Sequence, residues 1–314
     1  MKLWIACGVM MAIAVADARC KAQSADDTKS TIPAYKMSVK VDEVAITFHA
    51  TDANGRPVND LKLEELRLLE ESGAAGKLLS LEAKLDLPIR AGLLMDTSTS
   101  MQSHRVRDRL IAMEYARKIL RQKTDEGFVM DFGHSVTLMQ PWTHDGEALA
   151  LAAREIALSG ADGTALFDAI FEACHGQFGS IDHAASGNFL LLFTDGEDTA
   201  SHATLQAAVD MCQRSNTAIY AFVASSRDAG GSTGPAALAA LTHETGGRVF
   251  HDDDSLADVD ADLRAIDADL RNQYRLLYRP ADLKHDGAFH PIVLLGPDRV
   301  ANVTVRSGYY APAH

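Results

Sequence analysis

The sequence predicts an α/β protein: a doubly wound, mainly parallel six-stranded sheet with one antiparallel edge strand, flanked by small β-rich segments at both ends. Three observations predict it. From Ile89 onward, short apolar runs alternate with longer stretches of helical period, as in a parallel sheet covered by helices. Two of those runs are joined only by Gly133 and His134, too short a link for a crossover, so that pair runs antiparallel. Before Pro88 and after Arg271 the texture is instead that of short strands.

Each element has its own signal. In "VAITFHATDANGRPV", Val44, Ile46 and Phe48 alternate with Ala45, Thr47 and His49 before a turn at Asn54-Gly55. The sheet strands are predicted at Ala91 to Met95, Gly127 to Phe132, Ser135 to Met139, Phe189 to Phe193, Ala218 to Val223 and Arg248 to His251. Apolar stripes mark the helices between them: Val106, Leu110, Met113 and Leu120 in one, Leu149, Ala152 and Ile156 in the next. Phe167, Ile170, Cys174 and Phe178 mark a third, and Leu205, Val209 and Cys212 a fourth. Another follows Pro235, which suits a first helical turn. The last, near Ser255 to Arg271, carries Leu256, Val259, Leu263, Ile266 and Leu270 at three- and four-residue steps. Strand texture returns in "YRLLYRP", "HPIVLLGP" and "ANVTVRSGYYAP". Strands from about Tyr35 to Leu87 and from Tyr274 to Tyr310 are expected to pack together as one β unit interrupted by the α/β domain.

The beginning of the chain sets its compartment. "MKLWIACGVMMAIAVADARCKAQS" combines Lys2, an apolar stretch from Leu3 to Ala16 and small residues, the layout of a secretory signal peptide. Cleavage after Ala22 is favoured over Ala18. The stretch is shorter than the ~20 residues of a spanning helix, so export to a periplasmic or extracellular location is expected, without stable membrane insertion. The resulting organisation is a signal peptide over 1–22, a linker over 23–34, a β-rich segment over 35–87, an α/β domain over 88–273 and a β-strand segment over 274–314. A net charge of -13 disfavours nucleic acid and anionic membrane as partners, because such binding neutralises phosphates with cations. Four cysteines are too few for a disulfide scaffold. Cys174 and Cys212 sit on helix stripes, where buried thiols are the simpler expectation and a disulfide the open alternative.

Chemistry concentrates in three loops: "MDTSTS" after the first sheet strand, "GADGTALFDAI" between two helices, and "LFTDGEDTAS" after the central strand. Ligands of open α/β sheets sit at the carboxyl ends of the strands, where Asp96 and Asp195 fall. Acids and hydroxyls on one rim suit a hard divalent cation that takes oxygen ligands and keeps waters, Mg2+ above all. Too few carboxylates are present to fill the shell, which leaves room for an acidic group from another molecule.

These residues resemble the metal-ion-dependent adhesion site of von Willebrand factor type A (VWA) domains, written D-x-S-x-S with a distant threonine and a distant aspartate. Asp96, Ser98 and Ser100 in "DTSTS", Thr164 in "GTALFDAI" and Asp195 in "FTDGEDT" fill that pattern in order. The resemblance implies a Rossmann-like sheet and Mg2+ or Mn2+ held directly by Ser98 and Ser100. Thr164 would bind directly or through water, and Asp96 and Asp195 largely through water. It also implies a partner protein offering a carboxylate. "TDANGRPVNDLKLEELRLLEE" before the domain, and "RNQYRLLYRPADLKHDGAFHPIVLL" with "VRSGYYAP" after it, resemble the VWFA-related domain of acidobacterial type. Thr99 stands where glycine is common.

Other readings compete. D-x-S-x-S alone can cap a helix. An aspartate after a first strand is also the nucleophile of phosphoaspartyl enzymes, and a Mg2+-dependent phosphoryl-transfer enzyme using Asp96 is the enzymatic alternative. Those phosphatases carry a second acid two residues on, where this chain has Ser98. A metal-free envelope module is the third reading. No G-x-S-x-G elbow, H-E-x-x-H pair or Walker loop occurs, so a non-enzymatic binding protein is expected. "HDDDSLADVDADL" lacks the ligands and glycine of a calcium loop. The cations Arg105, Arg107, Arg109, Arg117, Lys118, Arg121 and Lys123 read as a solvated helix face.

Overall fold

Alternating apolar residues open the folded part as strand β1 (Val44–Thr51), whose Val44, Ile46 and Phe48 are buried. The computed structural model describes residues 43–70, 76–121, 123–157, 162–179, 186–223, 233–251, 256–281 and 285–311. The signal peptide, both cleavage positions, the linker and the start of the β-rich segment lie outside the described residues, as do 252–255 of the acidic cluster. After β1 the chain turns at Gly55, with φ of 72°, a conformation that costs glycine least. Strands β2 (Arg67–Glu70) and β3 (Lys77–Lys84) follow.

The α/β part then runs β4 (Ile89–Asp96), α1 (Arg105–Ile119), β5 (Glu126–Phe132), β6 (Val136–Thr143), α2 (Gly146–Glu155), α3 (Leu166–Glu172) and β7 (Gly187–Thr194). It continues through α4 (Leu205–Arg214), β8 (Thr217–Val223), α5 (Gly234–Thr245), β9 (Val249–His251) and α6 (Leu256–Arg271). Strands β10 (Gln273–Arg279), β11 (Phe289–Leu295), β12 (Asn302–Val305) and β13 (Gly308–Tyr310) complete the fold.

The six-stranded sheet has the order β6-β5-β4-β7-β8-β9, parallel throughout except for β6. Each of the six predicted strands is present. Its central strands β4 and β7 are buried along nearly their whole length, which is why they read as unbroken apolar runs. One face packs on α1, α2 and α6 through Leu93, Tyr115, Leu149, Phe189, Leu263 and Ile266. The other packs on α3, α4 and α5 through Leu94, Phe128, Ile170, Leu192, Val209 and Leu238. Helices on both faces make the sheet doubly wound.

The strands before β4 pair with those after α6. One antiparallel sheet has the order β12-β1-β10-β3 and a second the order β13-β11-β2, and Ile46, Phe48, Leu68, Leu276, Tyr278 and Leu294 fill the space between them. Residues 42–314 cluster as one compact unit.

Two expectations change. The stripe expected to bury the first helix does so only in part: Met113 and Leu120 pack against the core, whereas Val106 is 69% and Leu110 56% exposed, and Ile111, Ala112, Tyr115, Ala116 and Ile119 supply the buried face. Ala112 and Ala116 share that face with Ile111, Tyr115 and Ile119, while Val106 and Leu110 turn outward. Cys174 and Cys212 are joined as a disulfide (S–S 2.04 Å), so the simpler thiol expectation is replaced by the alternative. Beyond α3 the helix widens into a π turn over Ala173–Gln177, which carries Cys174 toward α4.

Candidate metal centre

Because β5, β4 and β7 are parallel neighbours, their carboxyl ends meet on one rim. Asp96 is the last residue of β4, and Asp195 directly follows β7. The loop after β4 is pinned to the neighbouring strand by Thr97, whose backbone N–H and hydroxyl both donate to Phe132 O at 2.7 and 3.0 Å. Asp96 Oδ1 then accepts the N–H of Ser98 at 2.8 Å and turns the chain.

A 3-10 turn over Thr99–Ser103 leads into α1. Ser98 stands at its start without using its side chain as a cap, so the capping alternative does not account for this serine. Its hydroxyl lies 3.1 Å from that of Ser100 instead. Ser98 is buried and Ser100 exposed, which places the pair at the boundary between sheet edge and solvent.

Thr164 reaches the same rim from the other side. Gly163 has φ of 106°, which a side chain would strain, and Ala165 donates its N–H to Gly133 O at 2.7 Å. Thr164 donates its N–H to Thr199 Oγ1 at 2.9 Å, while its carbonyl accepts from the N–H groups of Thr199 and Ala200 at 2.9 and 3.0 Å. The loops carrying Thr164 and Asp195 are therefore laced together. Two acids complete the lacing reciprocally: Asp198 accepts the N–H of Phe167 at 3.2 Å, and Asp168 that of Ala203 at 2.7 Å.

The electrostatics follow from burial. Asp96 is 7% exposed, and its carboxyl is pushed up to about 6, chiefly by loss of solvation, with the nearby Asp195 adding to the rise. Hydrogen bonds from Ser98 and Thr194 oppose that rise without cancelling it. Among the described residues no group of three His, Cys, Asp or Glu side chains is arranged to hold a metal, so a cation at this rim would rely on two carboxylates and on hydroxyls. An all-oxygen, hydroxyl-rich donor set fits a hard divalent ion, and the strained charge of Asp96 is what such an ion would relieve.

The structure thus brings Asp96, Ser98 and Ser100 into one hydrogen-bonded group and sets Asp195 within electrostatic reach of it. Thr164 is tied by its backbone to the loop that follows Asp195. Sequence reasoning missed Thr194, which is fully buried, donates to Asp96 Oδ2 at 2.7 Å and accepts the N–H of Gly196 at 3.0 Å. It also missed Thr97, Thr199, Asp198 and Asp168; the hydroxyls and acids of "FTDGEDTAS" were the available signal.

No protein-family model matches the sequence, and no curated protein does. Among solved structures, the chain is similar to proximal thread matrix protein 1 from the mussel byssus with a zinc-occupied MIDAS motif: 13% identity, TM-score 0.50, covering 63% of this chain. The match spans 50% of that protein's own length. It is also similar to the conserved hypothetical protein BatB from Bacteroides thetaiotaomicron, at 16% identity and TM-score 0.48 over 57% of this chain and 97% of that one. An aerotolerance-related membrane protein from Bacteroides fragilis matches at 18% identity and TM-score 0.45, over 57% and 98%. With the six-stranded, doubly wound sheet, the byssus likeness establishes the fold as VWA-like.

Proposed function

We propose that this is an exported, non-enzymatic VWA protein that binds Mg2+ or Mn2+ through Asp96, Ser98, Ser100, Thr164 and Asp195, and through that cation an acidic group of a partner protein. The observation that carries the reading is the Ser98–Ser100 hydroxyl pair, 3.1 Å apart beside a buried carboxylate whose charge burial opposes. The zinc-occupied MIDAS motif of the byssus protein lends support to a divalent ion at the corresponding edge of the sheet. The flanking β segments are those of a VWFA-related protein of acidobacterial type, and the location is periplasmic or extracellular. No helix among the described residues is long and apolar enough to cross a membrane.

Adhesion is favoured over phosphoryl transfer by Ser98, which stands two residues after Asp96 where phosphoaspartyl phosphatases carry a second acid. The test is calorimetric titration of Mg2+ and Mn2+ into the purified protein and its Ser98→Ala/Ser100→Ala variant. Binding to the wild type that the variant lacks is the expected result. Equal binding by both proteins removes the site from these residues, and phosphatase turnover abolished by Asp96→Asn supports the enzyme instead.

A further inference from the structure

The outward face of α1 is unlike its other surfaces. Val106 and Leu110, four residues apart and so on one side of the helix, are 69% and 56% exposed. The 3-10 turn that carries Ser100 and starts at Ser98 leads into this helix. Arg105 and Arg109 repeat the four-residue spacing one position earlier and line a cleft with Asp96 and Thr97.

Those two arginines are also unmatched. Further along the surface, Arg117 pairs with Glu147, Lys118 with Glu114 and Asp260, and Arg121 with Asp267. Among the described residues Arg105 and Arg109 make no ion pair. Arg109 Nε is shut off from solvent without a hydrogen-bond acceptor, and its guanidinium is held below its usual range by lost solvation and by Arg105, with no carboxylate offsetting either. Asp108, which has interactions of its own, lines the same cleft. Cations in the first turns of a helix oppose its dipole, and like charges four apart repel. The arrangement costs the free fold stability, in a protein whose net charge is -13.

We propose that the first two turns of α1 extend the candidate cation site into a docking surface for an acidic peptide segment of a partner protein. One carboxylate of that segment completes the metal shell, a second acidic group pairs with Arg105 and Arg109, and an apolar side chain covers Val106 and Leu110. The proposal rests on the cation-dependent reading above and adds to it the chemistry of the partner. Charge complementarity selects an acidic segment over a neutral or basic one, and the exposed aliphatic pair selects one with an apolar anchor.

The test is selection from a displayed library of random linear peptides on the full protein in Mg2+. The recovered peptides are then titrated against the wild type, Val106→Ser/Leu110→Ser, Arg105→Gln and Ser98→Ala/Ser100→Ala, with and without chelator. The substituted positions on α1 are on its surface, and thermal melts confirm that each variant is folded. The expected result is enrichment of acidic peptides with an apolar residue, affinities about tenfold weaker in each α1 variant, and no binding in chelator. Cation-dependent peptides that keep full affinity for the α1 variants overturn this proposal and leave the cation site standing. Peptides lost from the α1 variants but indifferent to chelator and to Ser98→Ala/Ser100→Ala overturn the cation reading instead. Recovery of basic peptides, or of none, overturns the acidic occupant, as does Mg2+-dependent dimerisation that the α1 substitutions abolish.

Discussion

Thr194, at the end of β7, donates its hydroxyl hydrogen to Asp96 Oδ2 at the end of the adjacent β4, 2.7 Å away. The bond orients a carboxylate that burial and Asp195 push up to about 6 from its ordinary 3.8. In the cation-free protein the folded state therefore holds this proton more tightly than the unfolded chain does. The stability it contributes is fully present below about pH 4 and lost as pH rises through about 6, a difference of up to about 3 kcal/mol. Urea midpoints in chelator should fall across that window in the wild type and fall less in Asp96→Asn. Added Mg2+ should reverse the trend, because the cation favours the ionised carboxylate. Identical pH slopes in the two proteins would show that Asp96 is not the titrating group.

Arg271, the last residue of α6, is 3% exposed and donates to Asp125, which is fully buried, from Nη1 and Nη2 at 3.2 and 2.8 Å. Its guanidinium also donates to Ile119 O and Leu87 O, so it joins the ends of α1 and α6 to the start of the central sheet. Arg271→Ala leaves a buried acid without its counter-charge and should cost about 3–5 kcal/mol of unfolding free energy. The double variant Arg271→Met/Asp125→Asn should lose less than the sum of the two single losses. Additive losses in denaturant melts would mean that the two residues act independently.

The sheet was legible because its central strands are buried on both faces and read as continuous apolar runs bounded by loops. The hydrogen-bonded group of Asp96, Ser98 and Ser100 was legible because its members are local to five residues. Thr194 carries no such signal, since one hydroxyl at a strand end resembles any other. The buried face of α1 was misread in its first turns, where the stripe took in the exposed Val106 and Leu110 and left out Ile111, Tyr115 and Ile119, which are buried. Asp125 and Arg271 lie 146 residues apart, and only the folded chain brings them together. Strand texture at both ends was visible, but that β1 lies between β10 and β12 depends on register, which no single segment encodes.

The disulfide between Cys174 and Cys212 joins the π turn beyond α3 to α4, and those two helices begin at the loops laced through Thr164 and Asp198. Closing a sequence separation of 38 residues restricts the unfolded chain, which on the chain-entropy account stabilises the fold by about 4 kcal/mol. Cys174→Ala/Cys212→Ala should lose roughly that amount by urea denaturation, and reductant should destabilise the wild type but not the variant. A wild type indifferent to reductant under denaturing conditions, with free thiols detected after unfolding, would show that the bridge does not form.

Tyr274 on β10 ties that strand to the segment between β1 and β2 through one hydroxyl. Its oxygen accepts the N–H of Leu61 at 2.9 Å and its hydrogen goes to Val58 O at 3.0 Å, while its ring stacks on Phe48 at 5.2 Å between centroids. Tyr274→Phe keeps the stacking and removes both hydrogen bonds, leaving the buried Leu61 N–H without its partner. That should cost about 1–3 kcal/mol and loosen the segment between β1 and β2 more than the α/β sheet. Hydrogen exchange distinguishes the two regions: faster exchange near Leu61, with β4 and β7 unchanged, is the expected pattern. Uniform acceleration would mean that Tyr274 supports global stability alone, and unchanged exchange near Leu61 would remove the hydroxyl from any role in fixing that segment.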